Sequence, residues 1–311
     1  MHALITGGHG FVGQHLAAHL RAVGDQVSIL DRSGDEPVDI TDGAAVQERI
    51  AALQPDVVYH LAGFADVGAS WTDPVRVFRI NAEGTLHVLR ACTAAGVGRV
   101  LAVASADVYG VVTEDELPLT ESSPLRPTSP YAASKLAADA LAQQAFLGHG
   151  LGVVRVRPFN HLGPGQSEQF VAPAIAARIA RAERDDADTI AVGNLSARRD
   201  VTDVRDVVRA YRLLIEAGEP GAVYNVCSGV DIAIQTLADL LVAKAHRPVE
   251  LVTDPSLLRP VDLPVLRGDG TKLRDATGWQ PDIPIEQTIA DLLDDMRARV
   301  RTPSPTASET S

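Results

Sequence analysis

The stretch Thr6-Gly7-Gly8-His9-Gly10-Phe11-Val12-Gly13 decides the fold. Residues 2–6 before it form a short apolar run of strand character, and residues 11–22 after it repeat apolar positions at helical spacing. Glycines at 7, 10 and 13 suit a tight turn, close approach of a pyrophosphate to the backbone, and close packing of helix on strand. A helix starting here presents unpaired N–H groups and the positive end of its dipole to that pyrophosphate. Gly7, Gly10, Phe11 and Val12 are therefore the expected contacts of a bound dinucleotide. The spacing G-x-x-G-x-x-G is one residue longer than the commonest dinucleotide fingerprint, so the strand before it and the helix after it carry the reading.

The same alternation continues downstream. Strands are expected at residues 26–30, 57–61, 100–104 and 152–156, and helices at 43–53, 75–95 and 131–145. Crossovers of that length imply a parallel sheet with helices on both faces, a doubly wound α/β fold of Rossmann type. Ligands then bind at the carboxyl ends of the strands. The second half is less regular, with helices expected at 171–182, 234–245 and 285–299 and a buried strand at 222–226. The pattern divides the chain into a dinucleotide-binding domain, residues 1–165 with 200–228 returning to it, and a smaller C-terminal substrate-binding lobe, residues 166–199 and 229–300. Residues 301–311, rich in Ser, Thr and Pro, read as a disordered tail.

Composition narrows the class. The 311 residues are 46% apolar and carry a formal net charge of −12, which disfavours nucleic acid and anionic membrane as partners. No apolar run approaches the roughly 20 residues that span a bilayer. Cys92 and Cys227 are the only cysteines. They make neither a disulfide framework nor a zinc site, and with no secretory leader ahead of the first strand a cytoplasmic location is expected. His15 and His19 lie one helical turn apart without a third ligand nearby, so no metal is expected.

Asp31 closes the second strand, where a carboxylate can bond both ribose hydroxyls of an adenosine and repel a 2′-phosphate. Arg32 follows directly and could pair with that phosphate, so the balance tips only slightly to NAD(H) over NADP(H). Ser129-Pro130-Tyr131-Ala132-Ala133-Ser134-Lys135 supplies reactive groups. Ser129 suits an N-cap and Pro130 the first helical position, which puts Tyr131 and Lys135 one turn apart on one face. The lysine ammonium is expected to lower the phenol's pKa towards the working range of a proton-transfer group. Ser105, ending the strand at 100–104, reaches the same carboxyl edge. Serine, phenol and ammonium beside a nicotinamide suit carbonyl reduction or alcohol oxidation.

T-G-x-x-G-x-x-G, S-x-x-x-Y-G from Ser105 to Gly110, and Y-x-x-x-K from Tyr131 to Lys135 resemble the extended short-chain dehydrogenases, the NAD-dependent epimerase/dehydratase family. The likeness runs over essentially the whole chain up to residue 300. It implies that Ser105, Tyr131 and Lys135 are the catalytic set, with Tyr131 and Lys135 also touching the cofactor. It further implies cofactor contacts at Asp39-Ile40 near the adenine, at Leu61-Ala62-Gly63 under the nicotinamide ribose, at Asn81, and at Pro158. Substrate contacts are implied at Ser105, Asp107, Asn160, Val171, Asn194, Arg199 and Arg259, the arginines as diphosphate ligands. Segments 159–166, 192–200, 224–229, 258–260 and 277–281 are more similar to the GDP-4-keto-6-deoxy-mannose reductases of the family than to its general epimerases.

The resemblance implies a reductase that delivers hydride to the C4 ketone of an NDP-4-keto-6-deoxy-hexose, most simply a GDP-linked one. Tyr131 would protonate O4, Ser105 would hydrogen-bond it, and Lys135 would tune Tyr131 and bind the ribose. The family's 4,6-dehydratases carry two carboxylates directly after the serine or threonine. Here those positions are Ala106 and Asp107, which removes the usual proton donor for a leaving hydroxyl. A nucleotide-sugar 4-epimerase would use the same residues with tightly held NAD. A non-catalytic dinucleotide sensor would have no use for Ser105, Tyr131 and Lys135 together. Relatives also imply a homodimer through helices 75–95 and 131–145.

Overall fold

The computed structural model of the chain describes residues 1–257 and 264–301. Arg259 and the tail expected to be disordered from residue 302 lie outside the described residues. In chain order the first half contains β1 (His2–Thr6), α1 (Phe11–Ala22), β2 (Gln26–Leu30), α2 (Gly43–Leu53), β3 (Val57–His60), α3 (Pro74–Phe78), α4 (Gly84–Ala95), β4 (Arg99–Val103), α5 (Pro130–His149) and β5 (Val153–Pro158). The second half adds β6 (Asn160–Leu162), α6 (Val171–Asp185), β7 (Thr189–Val192), β8 (Arg198–Asp203), α7 (Val204–Ala217) and β9 (Val223–Val226). It ends with β10 (Asp231–Ala233), α8 (Ile234–Ala243), β11 (Glu250–Thr253), β12 (Val265–Leu266), α9 (Thr271–Thr277) and α10 (Ile285–Arg301).

Six strands form one parallel sheet in the order β2-β1-β3-β4-β5-β9. Every residue of β3 and β5 is buried, as strands covered on both faces must be. On one face α1 and α7 bring Leu16, Leu20, Val207, Tyr211 and Leu214 against Ile5, Tyr59 and Val156, joined by Leu273 and Trp279 from the C-terminal region. On the other face α2, α4 and α5 bring Val46, Ile50, Leu89 and Ala142 against Leu4, Val58 and Val100. A second core joins α6, α8 and α10 through Ile175, Ile179, Leu241, Leu292 and Met296. Register sets the functional edge: Thr6 pairs with both Leu30 and His60, His60 with Ala102, and Val103 with Val156. The glycine loop, Asp31, Leu61 and Ser105 therefore leave the sheet side by side.

Two differences from the sequence reading have clear causes. Residues 204–217, to which that reading assigns no element, form α7. Val204, Val207, Val208, Tyr211, Leu214 and Ile215 recur at helical spacing on its buried face. The helix expected at 75–95 is α3, a π turn over Arg79–Glu83, and α4. The wide turn buries Asn81, and such turns recur at functional sites.

Three aspartates spaced three apart fasten β8 and α7 to the rest of the chain. Asp200 accepts from Ser228 N at 2.8 Å, Ser228 Oγ at 2.6 Å and Gly229 N at 2.9 Å. Asp203 accepts from Thr288 Oγ1 of α10 at 2.7 Å. Asp206 Oδ2 accepts the backbone N–H of Asp282 at 3.0 Å and of Ile283 at 2.9 Å. Asp206→Ala removes the acceptor of both part-buried N–H groups and is expected to cost about 2 kcal/mol. Urea denaturation checks this, and a loss below about 1 kcal/mol would mean that water replaces the carboxylate.

Candidate active site

The glycine loop is as tight as its sequence demands. Gly7 has φ +73°, and a Cβ there would lie 2.8 Å from Ala62 N. A Cβ on Gly13 would lie 2.2 Å from Gly7 O, so only glycine lets α1 sit this close to the loop. Gly10 is the N-cap residue, no side chain caps the helix, and no acidic residue occupies its first turn. The N–H groups around Phe11 and Val12 thus form an anion cradle of the kind a pyrophosphate fits.

Asp31 stands at the end of β2 as expected, with its oxygens engaged. Oδ2 accepts His9 N at 3.0 Å; Oδ1 accepts Ser33 N and Ser33 Oγ, both at 3.2 Å. Because Ser33 donates to Asp31, it accepts from His9 Nδ1, 3.1 Å away. His9 and Ser33 escape the sequence reading, since only the fold brings them together. Arg32 is exposed beside them. Asp39 Oδ1 turns onto Thr41 N at 2.9 Å. That bond, helped by the charges of Arg32 and Arg76, holds its carboxyl below the usual range. Ile40 is buried, and its carbonyl accepts from His87 Nδ1 at 3.0 Å.

Under the loop at residues 61–63 runs a chain of buried polar groups. Thr85 Oγ1 donates to Asn81 O at 2.5 Å, so it accepts from His60 Nε2 at 2.9 Å. His60 Nδ1 in turn accepts from Thr6 Oγ1 at 2.7 Å, and Thr6 Oγ1 accepts Ala62 N at 3.2 Å. Burial and the charge of Lys135 push His60 down to about 3, so it stays neutral. Asn81 accepts Phe64 N at 2.7 Å and donates to Phe64 O at 3.1 Å and Ser134 Oγ at 2.8 Å. Its amide holds the loop against α5. A Cβ on Gly63 would meet Asn81 Oδ1 at 2.9 Å and Lys135 Nζ at 3.2 Å, so loop, asparagine and lysine are in contact.

Ser105 caps a short 3-10 turn, Ala106–Tyr109, and its Oγ accepts Asp107 N at 3.1 Å. Ser129 caps α5 by accepting Ala132 N at 3.1 Å, with Pro130 in the first position, as its sequence predicts. Tyr131 and Lys135 are both buried. Burial, then the charge of Asp107, push the Tyr131 phenol above its ordinary range, against a hydrogen bond with Ser105. The expected lowering by Lys135 is thus reversed, because burial disfavours a phenolate and the charge of Asp107 opposes it. Lys135 Nζ donates to Val103 O at 3.1 Å, and burial brings its pKa down to about 8. The ammonium is lost as pH rises through that value while Tyr131 stays protonated. A plot of kcat/KM for the dinucleotide against pH is expected to be flat below about 8 and to fall above it.

A family model described as GDP-mannose 4,6 dehydratase matches residues 4–292. The chain belongs to this family of extended short-chain dehydrogenases. GDP-6-deoxy-D-mannose reductase of Pseudomonas aeruginosa is 41% identical over 303 residues, 96% of this chain and 97% of its own. The structure of RMD from Pseudomonas aeruginosa complexed with NADPH matches with a TM-score of 0.88 and 39% identity, over 96% of this chain and 99% of that one. UDP-glucose 4-epimerase from Thermus thermophilus, a complex with NAD, matches with 0.87 and 29% identity over the same shares.

Pro158, expected to touch the cofactor, ends β5, and Asn160, expected to touch substrate, opens β6 one residue beyond Phe159. Asn160 pairs with Val201 of β8, which places it on the same small sheet as Arg199. Arg199 is half-buried and donates to Arg198 O at 2.8 Å. Val171 opens α6 and is 38% exposed. Asn194 lies in the exposed loop between β7 and β8, accepting Ser196 N at 3.0 Å. Asp231 holds two arginines beside Arg199, Arg198 at 2.5 Å and Arg267 at 3.2 Å, which the sequence reading passes over.

Proposed function

We propose that the protein reduces the C4 ketone of a GDP-linked 4-keto-6-deoxy-hexose, with the dinucleotide on residues 1–165 and 200–228 and the sugar nucleotide against the smaller lobe. The observation that carries this is geometric: Tyr131 meets Ser105, and Lys135 Nζ meets Val103 O, at the carboxyl edge of the sheet where the glycine loop also ends. The near full-length likeness to GDP-6-deoxy-D-mannose reductase supports it. The glycine cradle fits a dinucleotide, which when bound supplies hydride to the carbonyl carbon. Tyr131 releases its proton to O4 as negative charge develops there, and burial with Asp107 holds that proton until then. Ser105 Oγ accepts Asp107 N, which leaves its own hydrogen to give to O4. Lys135 and the backbone at residues 61–63 hold the ribose. Ala106, a buried methyl, has no proton for a leaving hydroxyl, which argues against 4,6-elimination.

A 4-epimerase is the second reading, favoured by the likeness to the Thermus thermophilus enzyme. Its first step must take the O4 proton, and a phenol with a raised pKa disfavours that. For the cofactor, the sequence leans slightly to NAD(H), while the similar structure of RMD from Pseudomonas aeruginosa holds NADPH. His9 N and Ser33 N donate to the Asp31 carboxylate, and Arg32 is exposed beside it, open to a 2′-phosphate. We read this as an enzyme that takes NADPH. Trp71, Val75, Phe78 and Leu147, exposed on and beside α3 and α5, favour a homodimer through those helices. Cys92 and Cys227, buried and unpaired, accord with the cytoplasm.

Purified enzyme given GDP-4-keto-6-deoxy-mannose with NADPH or NADH tests the reading. One reduced cofactor consumed per GDP-6-deoxyhexose formed supports it. No consumption, with NAD released on denaturing the protein, selects the epimerase.

A further inference from the structure

Behind the reacting groups lies a chain of buried polar contacts that the reaction itself does not use. Tyr131, Lys135 and Asp139 occur at i, i+4 and i+8 of α5, on one helix face. Asp139 Oδ2 accepts Arg157 Nη2 at 2.7 Å and Nε at 3.1 Å, and Oδ1 accepts Arg155 Nη1 at 3.1 Å. Arg157 Nη1 continues to the Tyr109 hydroxyl at 3.2 Å and to Glu121 O at 3.1 Å. The Tyr109 hydroxyl donates to Asn225 Oδ1 of β9 at 2.7 Å. Tyr109 is the last residue of the 3-10 turn that Ser105 caps. The chain thus runs from the helix carrying Tyr131 and Lys135, through β5, to the turn carrying Ser105.

Its burial makes it rigid. The side chains of Asp139 and Arg157 are 2% and 4% exposed, and Tyr109 is fully buried. A charge-assisted pair without competing water holds its geometry. Ser105 and Tyr131 come from different elements, and among the described residues this chain is a direct polar tie between their two supports. Hydride transfer depends steeply on such placement, because small misalignments of the reacting groups cost large factors in rate.

We propose that Tyr109, Arg157 and Asp139 are positioning residues that fix the Ser105 turn against α5, and so set the joint approach of Ser105 and Tyr131 to the carbonyl oxygen. The proposal rests on the assignment of Ser105 and Tyr131 as the pair that meets that oxygen.

Tyr109→Phe tests it. The ring and its packing remain, and only the hydroxyl that joins Arg157 to Asn225 is lost. The expected result is a kcat about 10- to 100-fold lower with KM for both substrates within about twofold. The primary isotope effect from NADPH deuterated at the transferring position should rise, since the chemical step becomes slower. Amide exchange should quicken at residues 105–109 while the rest of α5 stays protected. Arg157→Lys keeps a cation for Asp139 but loses the reach to Tyr109, and it should show the same split. A Tyr109→Phe enzyme with kcat within twofold and unchanged exchange at 105–109 overturns the proposal, even if its thermal midpoint falls. Should the unaltered enzyme fail to reduce the 4-keto sugar, the proposed function falls. Exchange at 105–109 then still decides whether Tyr109 holds the turn.

Discussion

Tyr131→Phe is expected to lower kcat for carbonyl reduction about a thousandfold while leaving dinucleotide affinity within a few fold. The phenol is buried at the first turn of α5, and its ring is held by packing that phenylalanine reproduces. What disappears is the hydroxyl that meets Ser105 and would give its proton to O4. Ser105 cannot replace it, because an unassisted serine hydroxyl is a poor acid. Single-turnover reduction and a fluorescence titration with NADPH separate the two quantities. A variant that keeps a tenth of its activity would move the proton-donor role elsewhere, with Asp107 the first suspect.

Gly13→Ala should weaken dinucleotide binding about 10- to 100-fold and lower stability as well. The added methyl would lie 2.2 Å from Gly7 O and 2.7 Å from Gly8 Cα. Both are backbone atoms of the loop, so no side chain can swing away and α1 must shift as a body. That shift opens the turn in which Gly10 N meets Gly7 O at 3.1 Å. Gly10→Ala is the graded control for packing: its Cβ would lie 3.3 Å from the same oxygen, and its loss of folding stability should be smaller. Equilibrium titration with NADPH checks the binding loss, and urea denaturation checks the order of stabilities. If Gly10→Ala proved the more damaging, close helix–loop packing would not be what Gly13 provides.

Much of the fold was legible because its signals are local. Glycine spacing, the helix start at Ser129-Pro130 and the apolar strands need only neighbouring residues, and all of them formed. What was illegible depends on distant partners. Asp31 reads as a ribose ligand in sequence, and the fold adds contacts with His9 and Ser33 that no local pattern shows. Asn81 reads as a cofactor contact, and the fold adds the ties of its amide to Phe64 and Ser134. Lys135 reads as the group that acidifies Tyr131, but burial and Asp107 outweigh it. The strands β6, β10 and β12 have only two or three residues, too few for periodicity to show, and β8 is polar at all but one position. Helix α7 was readable by its apolar spacing, which the aspartates and arginines between those positions interrupt.

The central claim is hydride delivery to C4 of a keto-sugar, and the position of one deuterium tests it most directly. The enzyme is given GDP-4-keto-6-deoxy-mannose and NADPH deuterated at the transferring position of the nicotinamide, and the product is examined by NMR. The account predicts one deuterium at C4 of a GDP-6-deoxyhexose for every oxidised cofactor formed. Product without deuterium at C4, or no turnover of added NADPH at all, would contradict it.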